Sequence, residues 1–206
     1  MSRIILVRHG RTEWNEGDTE RLRGRADIPL DAKGLRQAEA TARYLGSQKV
    51  DVVYSSPLPR ASTTSREIAR ECRVEARTLN ALIDIDYGEW QGLSLEEVRD
   101  RDDSIYSQWL SDPRKVTFPG GESLSQVRDR ATAVIESLLE RHLGQTIVLV
   151  SHKVVCKVLL CSFLGLDDSY FWRVEQHTCA INEIDIWDGS YVVSSLNDTC
   201  HLKDVA

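Results

Sequence analysis

The residues best suited to chemistry stand in the string Arg8-His9-Gly10-Arg11-Thr12-Glu13-Trp14-Asn15, directly after the apolar run Ile4-Ile5-Leu6-Val7. A neutral imidazole is a good nucleophile near pH 7, and guanidinium groups recognise phosphate through paired hydrogen bonds. A positive, histidine-bearing loop of this kind suggests an anion site. Two further segments repeat the pattern of an apolar run ending in polar, cationic residues. Residues 146–150 lead into Ser151-His152-Lys153, and residues 51–54 lead through Ser55-Ser56-Pro57-Leu58-Pro59 to Arg60. Taken singly, each has an ordinary reading: a chance Arg-His pair, a core histidine, a surface helix arginine. Two histidines at the ends of two apolar runs are harder to dismiss.

Four consecutive apolar residues rich in β-branching are too few for a helix and read as a strand buried on both faces. In open α/β sheets, ligands bind just beyond the carboxyl ends of the strands, which is where these residues would lie. Strands are expected at 3–8, 51–54, 146–151 and 180–186, with a further one around 74–78. Residues 180–187 and 191–196 form a hairpin around Asp188-Gly189. Helices are expected at 33–45, 59–71, 94–101, 104–111, from Ser123 to about 142, and at 154–164. Strands alternating with helices imply a three-layer α/β/α sandwich with a mostly parallel central sheet and a small helical insertion near 93–118.

Pro59 suits a first helical turn, leaving free N–H groups near Arg60. Leu35, Ala38, Ala42 and Leu45 give the first helix its apolar stripe, and that helix reads as scaffold. Ser123 with Gln126 three residues on is a capping box. The polar stretch 16–27 reads as a loop; its Arg21, Arg23 and Arg25, around Gly24, either line the anion site or form a solvated basic surface. The aromatics Tyr106, Trp109 and Phe118 are expected to pack the core of the insertion itself.

The whole chain narrows the alternatives. At 206 residues it can bury about 70% of its unfolded surface. Its 41% hydrophobic and 28% charged residues are ordinary for a globular protein. A net charge of −6 without any Lys/Arg run argues against nucleic-acid binding. Cys72, Cys156, Cys161, Cys179 and Cys200, odd in number and without CxxC spacing, read as reduced cytosolic thiols. No apolar run reaches the ~18 residues of a membrane span or the core of a signal peptide, so a cytoplasmic protein is expected.

The string RHGRTEWN resembles the signature of the histidine phosphatase superfamily, the phosphoglycerate-mutase-like proteins. Other segments match in order: Pro29-Leu30 through Gly34 to Gln37-Ala38, then Ser55-Ser56-Pro57-Leu58 with Arg60-Ala61, then Leu82 through Gly88, Trp90 and Gly92, then Pro119-Gly120-Gly121-Glu122-Ser123 and Val150-Ser151-His152. The resemblance implies one histidine phosphatase domain over 1–206. It makes His9 the covalent nucleophile, with Arg8, Arg60 and His152 neutralising the phosphoryl group. It implies substrate contacts from Arg8, Asn15, Arg60 and His152 and from the backbone N–H of Lys153, to which Arg23 and Gly24 of the basic loop are added as candidates, and it sets Glu122 near the site, orienting ligand or a catalytic group.

Two positions depart from the family. The proton donor, usually glutamate, is Asp84, with Glu89 as its rival, and the glycine after the second histidine is Lys153. Neither a metal nor a cofactor is implied, because arginines and histidines supply the positive charge. The implied activity is a phosphomonoesterase acting on small phosphorylated metabolites, nearest the branch of broad-specificity, α-ribazole, phosphosugar and phosphoserine phosphatases. Mutase-type transfer, a phosphohistidine phosphoprotein phosphatase and a non-catalytic phospho-ligand binder are the alternatives, and a homodimer is left open.

Overall fold

The structure, a computed structural model, describes residues 1–15 and 21–205; residues 16–20 of the loop expected at 16–27 lie outside the described residues. Six strands form one sheet in the order β3-β2-β4-β1-β5-β6. They are β1 (Ser2–Arg8), β2 (Val52–Ser55), β3 (Ala76–Thr78), β4 (Thr146–Ser151), β5 (Ile181–Trp187) and β6 (Ser190–Asp198). Pairings among β1 to β4 are parallel, and β5 and β6 add on antiparallel. The expected hairpin turns at Asp188 (φ 49) and Gly189 (φ 76), the two left-handed residues a tight turn of this type requires.

The apolar runs are buried on both faces because the strands alternate between two cores. Ile4, Leu6, Val52, Tyr54, Ile147 and Leu149 face one side; Ile5, Val7, Val53, Val148 and Val150 face the other. The second side is covered by α1 (Ala32–Gly46) and α2 (Pro59–Cys72) through Ala42, Leu45, Ala61 and Ile68. The first is covered by α3 (Leu95–Ser111), α4 (Leu124–Arg141) and α5 (Lys153–Phe163). Caps fix three helix starts: Asp31 accepts from Gly34 N at 2.7 Å, and Ser94/Glu97 and Ser123/Gln126 form capping boxes.

The two helices expected at 94–101 and 104–111 run together as α3 and meet at Asp102, whose non-helical backbone (φ −139, ψ 54) separates them and whose carboxylate accepts from the Trp90 indole at 2.8 Å. A 3-10 segment, Asp168–Arg173, follows α5 and packs its Phe171 against Trp109. Its aromatic sequence has no period that would have announced it. The five cysteines are free. Among the described residues no helix is long and apolar enough to cross a membrane.

Candidate active site

Register brings the reactive residues together. Arg8 pairs with Ser151 across the two central parallel strands, so His9 and His152 leave the sheet side by side, with ring centroids 5.1 Å apart. One strand further out, Ser55 pairs with Val150. The chain then turns through Ser56 into α2, whose second residue is Arg60.

His9 is 1% exposed, and its Nδ1 lies 2.6 Å from the Gly10 carbonyl. A carbonyl only accepts, so Nδ1 carries the proton and Nε2 keeps its lone pair. Burial first, then the charges of Arg60, His152 and Arg8, holds this histidine well below its ordinary 6.5. His152 is lowered for the same leading reasons, burial and Arg60. Its Nδ1 accepts from Arg60 Nε at 3.2 Å, and its Nε2 donates to Ser56 Oγ at 2.7 Å.

Arg60 is fully buried. Its guanidinium also donates to the carbonyls of Ala26 (2.8 Å) and Gly24 (2.7 Å) and to Asp84 Oδ2 (3.2 Å). Gly24 offers that carbonyl from a left-handed turn, φ 47, that a side chain would strain. Arg8 donates Nη1 to the Gln176 carbonyl at 2.6 Å, while its buried Nε has no hydrogen-bond partner. Burial, then the Arg23 charge, lowers Arg8 to about 10, which keeps it charged at neutral pH.

Two cavities that share Arg23 and Lys153 reach this cluster through Arg8 and Asp84, whereas His9, Arg60 and His152 line neither. One, of about 230 Å³, is lined by cations and neutral donors: Arg8, Arg11, Asn15, Arg23 and Lys153, with Glu175 on one side. Asn15 turns its Oδ1 back to Thr12 N (2.8 Å) and Thr12 Oγ1 (2.9 Å), leaving its amide NH2 as the end for an anion. The other, of about 180 Å³, holds Asp84 and is walled by Tyr87, Trp109, Phe171 and Trp172. Arg23 and Lys153 line both. Arg21 lines the second cavity, whereas Arg25 turns away to Asp86 and Glu122, the surface reading of that arginine. Trp109 packs the core as expected and in addition lines the cavity.

Asp84 is buried, and burial raises its carboxyl above the ordinary 3.8 even against the pull of Arg60. Glu89 is exposed on the other side of its loop and is paired with Arg101 of α3. Several supporting residues were not foreseen. Arg130 of α4 donates to the carbonyls of Ala81 (2.7 Å) and Asp84 (3.2 Å) and is clasped by Glu122 at 3.0 Å. Glu122 also accepts from Asp86 N at 3.0 Å, so it orients the loop that carries Asp84.

The first turns of α1, expected as scaffold, seat the loop that carries His9. Gln37 Oε1 accepts from Arg11 N at 2.9 Å, and a Cβ on Gly34 would lie 2.0 Å from the Arg11 carbonyl. Thr64 accepts from Gly10 N at 3.2 Å. The motif Pro29 to Ala38 was the signal for Gln37 and Gly34; for Arg130 and Thr64 the sequence carries none. Among the described residues, no group of three His, Cys, Asp or Glu side chains is placed to hold a metal ion.

A sequence model of the histidine phosphatase superfamily (branch 1) matches residues 4–199. The chain is 38% identical over 204 residues to phosphoserine phosphatase 1 of Hydrogenobacter thermophilus, covering 99% of this chain and 96% of that protein. Among solved structures it is similar to Bacillus stearothermophilus YhfR, with TM-score 0.93 and 26% identity over 98% of this chain and 100% of that one. It is also similar to a mutant phosphoserine phosphatase of Entamoeba histolytica in complex with phosphoserine, with TM-score 0.86 and 29% identity over 98% and 100%.

Proposed function

The chain belongs to the histidine phosphatase superfamily and is a phosphatase, and from that premise we propose a metal-independent phosphomonoesterase that hydrolyses small phosphorylated metabolites through a phosphohistidine. One observation carries the reading. Buried Arg8 lines one cavity, buried Asp84 lines the next, and His9, with its Nδ1 proton held by the Gly10 carbonyl, follows Arg8 directly in the chain with its ring 5.1 Å from that of His152. That division suits an ester whose phosphoryl group enters the cationic cavity and whose alcohol lies in the aromatic one.

His9 Nε2 attacks phosphorus as the ester P–O bond breaks, and Asp84 gives its proton to the leaving oxygen. Water then attacks the phosphohistidine; Asp84 takes the water's proton and the P–N bond breaks. Charge on the equatorial oxygens falls to Arg8 and Arg60, with the Asn15 amide as a neutral donor. A phosphoryl oxygen that takes the Arg60 Nη2 proton from Asp84 also removes the contact that opposes Asp84's protonation. His152 holds the Arg60 guanidinium, and Glu122 with Arg130 holds the Asp84 loop. Residues 1–206 work as one such domain, and the five free cysteines fit a cytoplasmic setting.

The test is a panel of phosphorylated metabolites, phosphoserine and 3-phosphoglycerate included, assayed with EDTA present. Phosphate release is expected, with an acid-labile phosphohistidine trapped at His9. His9→Ala should lose several orders of magnitude in turnover while keeping the fold; more than a few per cent of residual rate rules out the covalent route. Activity lost to chelator and restored by Mg²⁺ or Zn²⁺ overturns metal independence. Isomerisation of phosphoglycerate faster than phosphate release would make the chain a mutase, and binding without turnover a phospho-ligand binder.

A further inference from the structure

Lys157 takes no part in the chemistry above, yet it is 1% exposed and sits one helical turn beyond Lys153 on α5. Its ammonium lies 4.7 Å from the centroid of Phe171 and 5.0 Å from that of Trp172. Both rings line the leaving-group cavity that also holds Asp84. The wall is built stiffly: Trp172 Nε1 donates to the Trp109 carbonyl at 2.8 Å, and Trp109 meets Trp172 edge-on with centroids 5.3 Å apart. Among the described residues no carboxylate forms an ion pair with Lys157. An apolar side chain of the same length would fill this space without the cost of desolvating a charge.

The other charged groups around the cavity are mostly of the same sign. Arg21, Arg23 and Lys153 line it; the carboxyl groups nearby are Asp84, which must be protonated to act, and Glu175, which sits 3.9 Å from Lys153 in the neighbouring cavity. A cation against one face of an aromatic ring draws the ring's electron density toward itself, so the opposite face repels an anion less. Lys157 itself is 1% exposed, so its charge acts with less screening than a surface lysine's.

We propose that Lys157 is a specificity-determining residue whose buried positive charge, set behind the Phe171–Trp172 wall, makes the cavity select phosphate esters whose alcohol carries a carboxylate. This rests on the phosphomonoesterase reading of the site and adds the class of leaving group to it. Lys157 does not touch the reacting atoms; it acts through the rings and through space.

The experiment compares phospho-L-serine with phosphoethanolamine, which differs from it by the carboxylate alone, on the wild-type protein, Lys157→Met and Lys157→Arg. The wild type is expected to favour phosphoserine at least tenfold in kcat/KM. Lys157→Met should cut that preference about tenfold through a higher KM for phosphoserine, with phosphoethanolamine changed less than twofold, and Lys157→Arg should restore it. A folded Lys157→Met with the wild-type preference overturns the proposal. So does a wild type that handles both esters equally, a result that requires no variant to fold. A wild type inactive on both esters and on the whole metabolite panel overturns the phosphatase reading itself and the proposal with it.

Discussion

His9 and Asp84 are buried by the same pocket, and burial moves them in opposite directions. His9 goes below 6.5 because its charged form is disfavoured, and Asp84 goes above 3.8 for the same reason. In the proposed mechanism His9 attacks through a free Nε2, so the rate should rise with pH through the His9 value. Asp84, the proposed donor, needs its proton, so the rate should fall as it ionises. The expected profile of kcat/KM for an alkyl phosphate therefore has its ascending limb below pH 6.5 and its descending limb above 3.8. Asp84→Asn should abolish the descending limb and lower alkyl-ester turnover by about 10²–10⁴. An aryl phosphate with a good leaving group should lose far less, since its oxygen departs with little need of a proton. If Asp84→Asn leaves the alkyl ester intact and Glu89→Gln abolishes it, the donor is Glu89, against its exposed position beside Arg101. At this scale His9, Arg8, Arg60 and His152 were legible because residue type and strand end coincide. Arg130 was not, since its targets are two backbone carbonyls and nothing in a helix-surface arginine announces them.

Elements were easier to read than the contacts between them. The four main strands and helices α1, α2, α4 and α5 follow from short apolar runs, caps and a 3.6-residue stripe, signals that are local. The break in α3 at Asp102 falls where the expected helices 94–101 and 104–111 part, but the bond from Asp102 to the Trp90 indole, twelve residues away, is a tertiary fact. The role of α1 is of the same kind. Its stripe holds at Ala38, Ala42 and Leu45 but not at Leu35, which is exposed, and that its first turn presses on the loop carrying His9 depends on Gly34 lying against Arg11. A methyl group at Gly34 meets backbone rather than a flexible side-chain end, so it must push the loop that carries His9 and Arg8. Gly34→Ala should therefore lower kcat at least tenfold, a loss that a 1 Å displacement of catalytic groups readily produces. Leu35→Ala, at an exposed position on the same helix, should change kcat less than twofold. Steady-state kinetics on folded protein decide it; wild-type kcat in Gly34→Ala would mean that α1 is scaffold only.

The molecule as a whole carries the cost of its site as lost stability, and Lys157 makes that measurable. Burial lowers its ammonium from 10.5 to about 8. Between those values the unfolded chain holds a proton that the folded one has released, so the folded state gains stability as pH rises through this range. The gain is complete above 10.5 and lost as pH falls through 8. His9 and His152, lowered from 6.5, act with the same sign further down the scale, so the melting temperature should fall as the solution is acidified below 6.5. At neutral pH the lysine shift corresponds to about 3 kcal/mol of unfavourable burial at 1.36 kcal/mol per unit. Contact with two aromatic faces returns about 1–2 kcal/mol of this, so the charge remains a net burden of about 1–2 kcal/mol. Lys157→Met keeps the volume and drops the charge. It should raise the melting temperature at pH 7 by several degrees in a domain of this size, and the advantage should shrink toward zero by pH 10.5. Thermal unfolding of the two proteins at pH 7, 8.5 and 10.5 tests this directly. A variant less stable than wild type at pH 7 would mean that the ammonium on Phe171 and Trp172 holds the fold together. The lysine would then be a structural clamp, with no stability given up for selectivity.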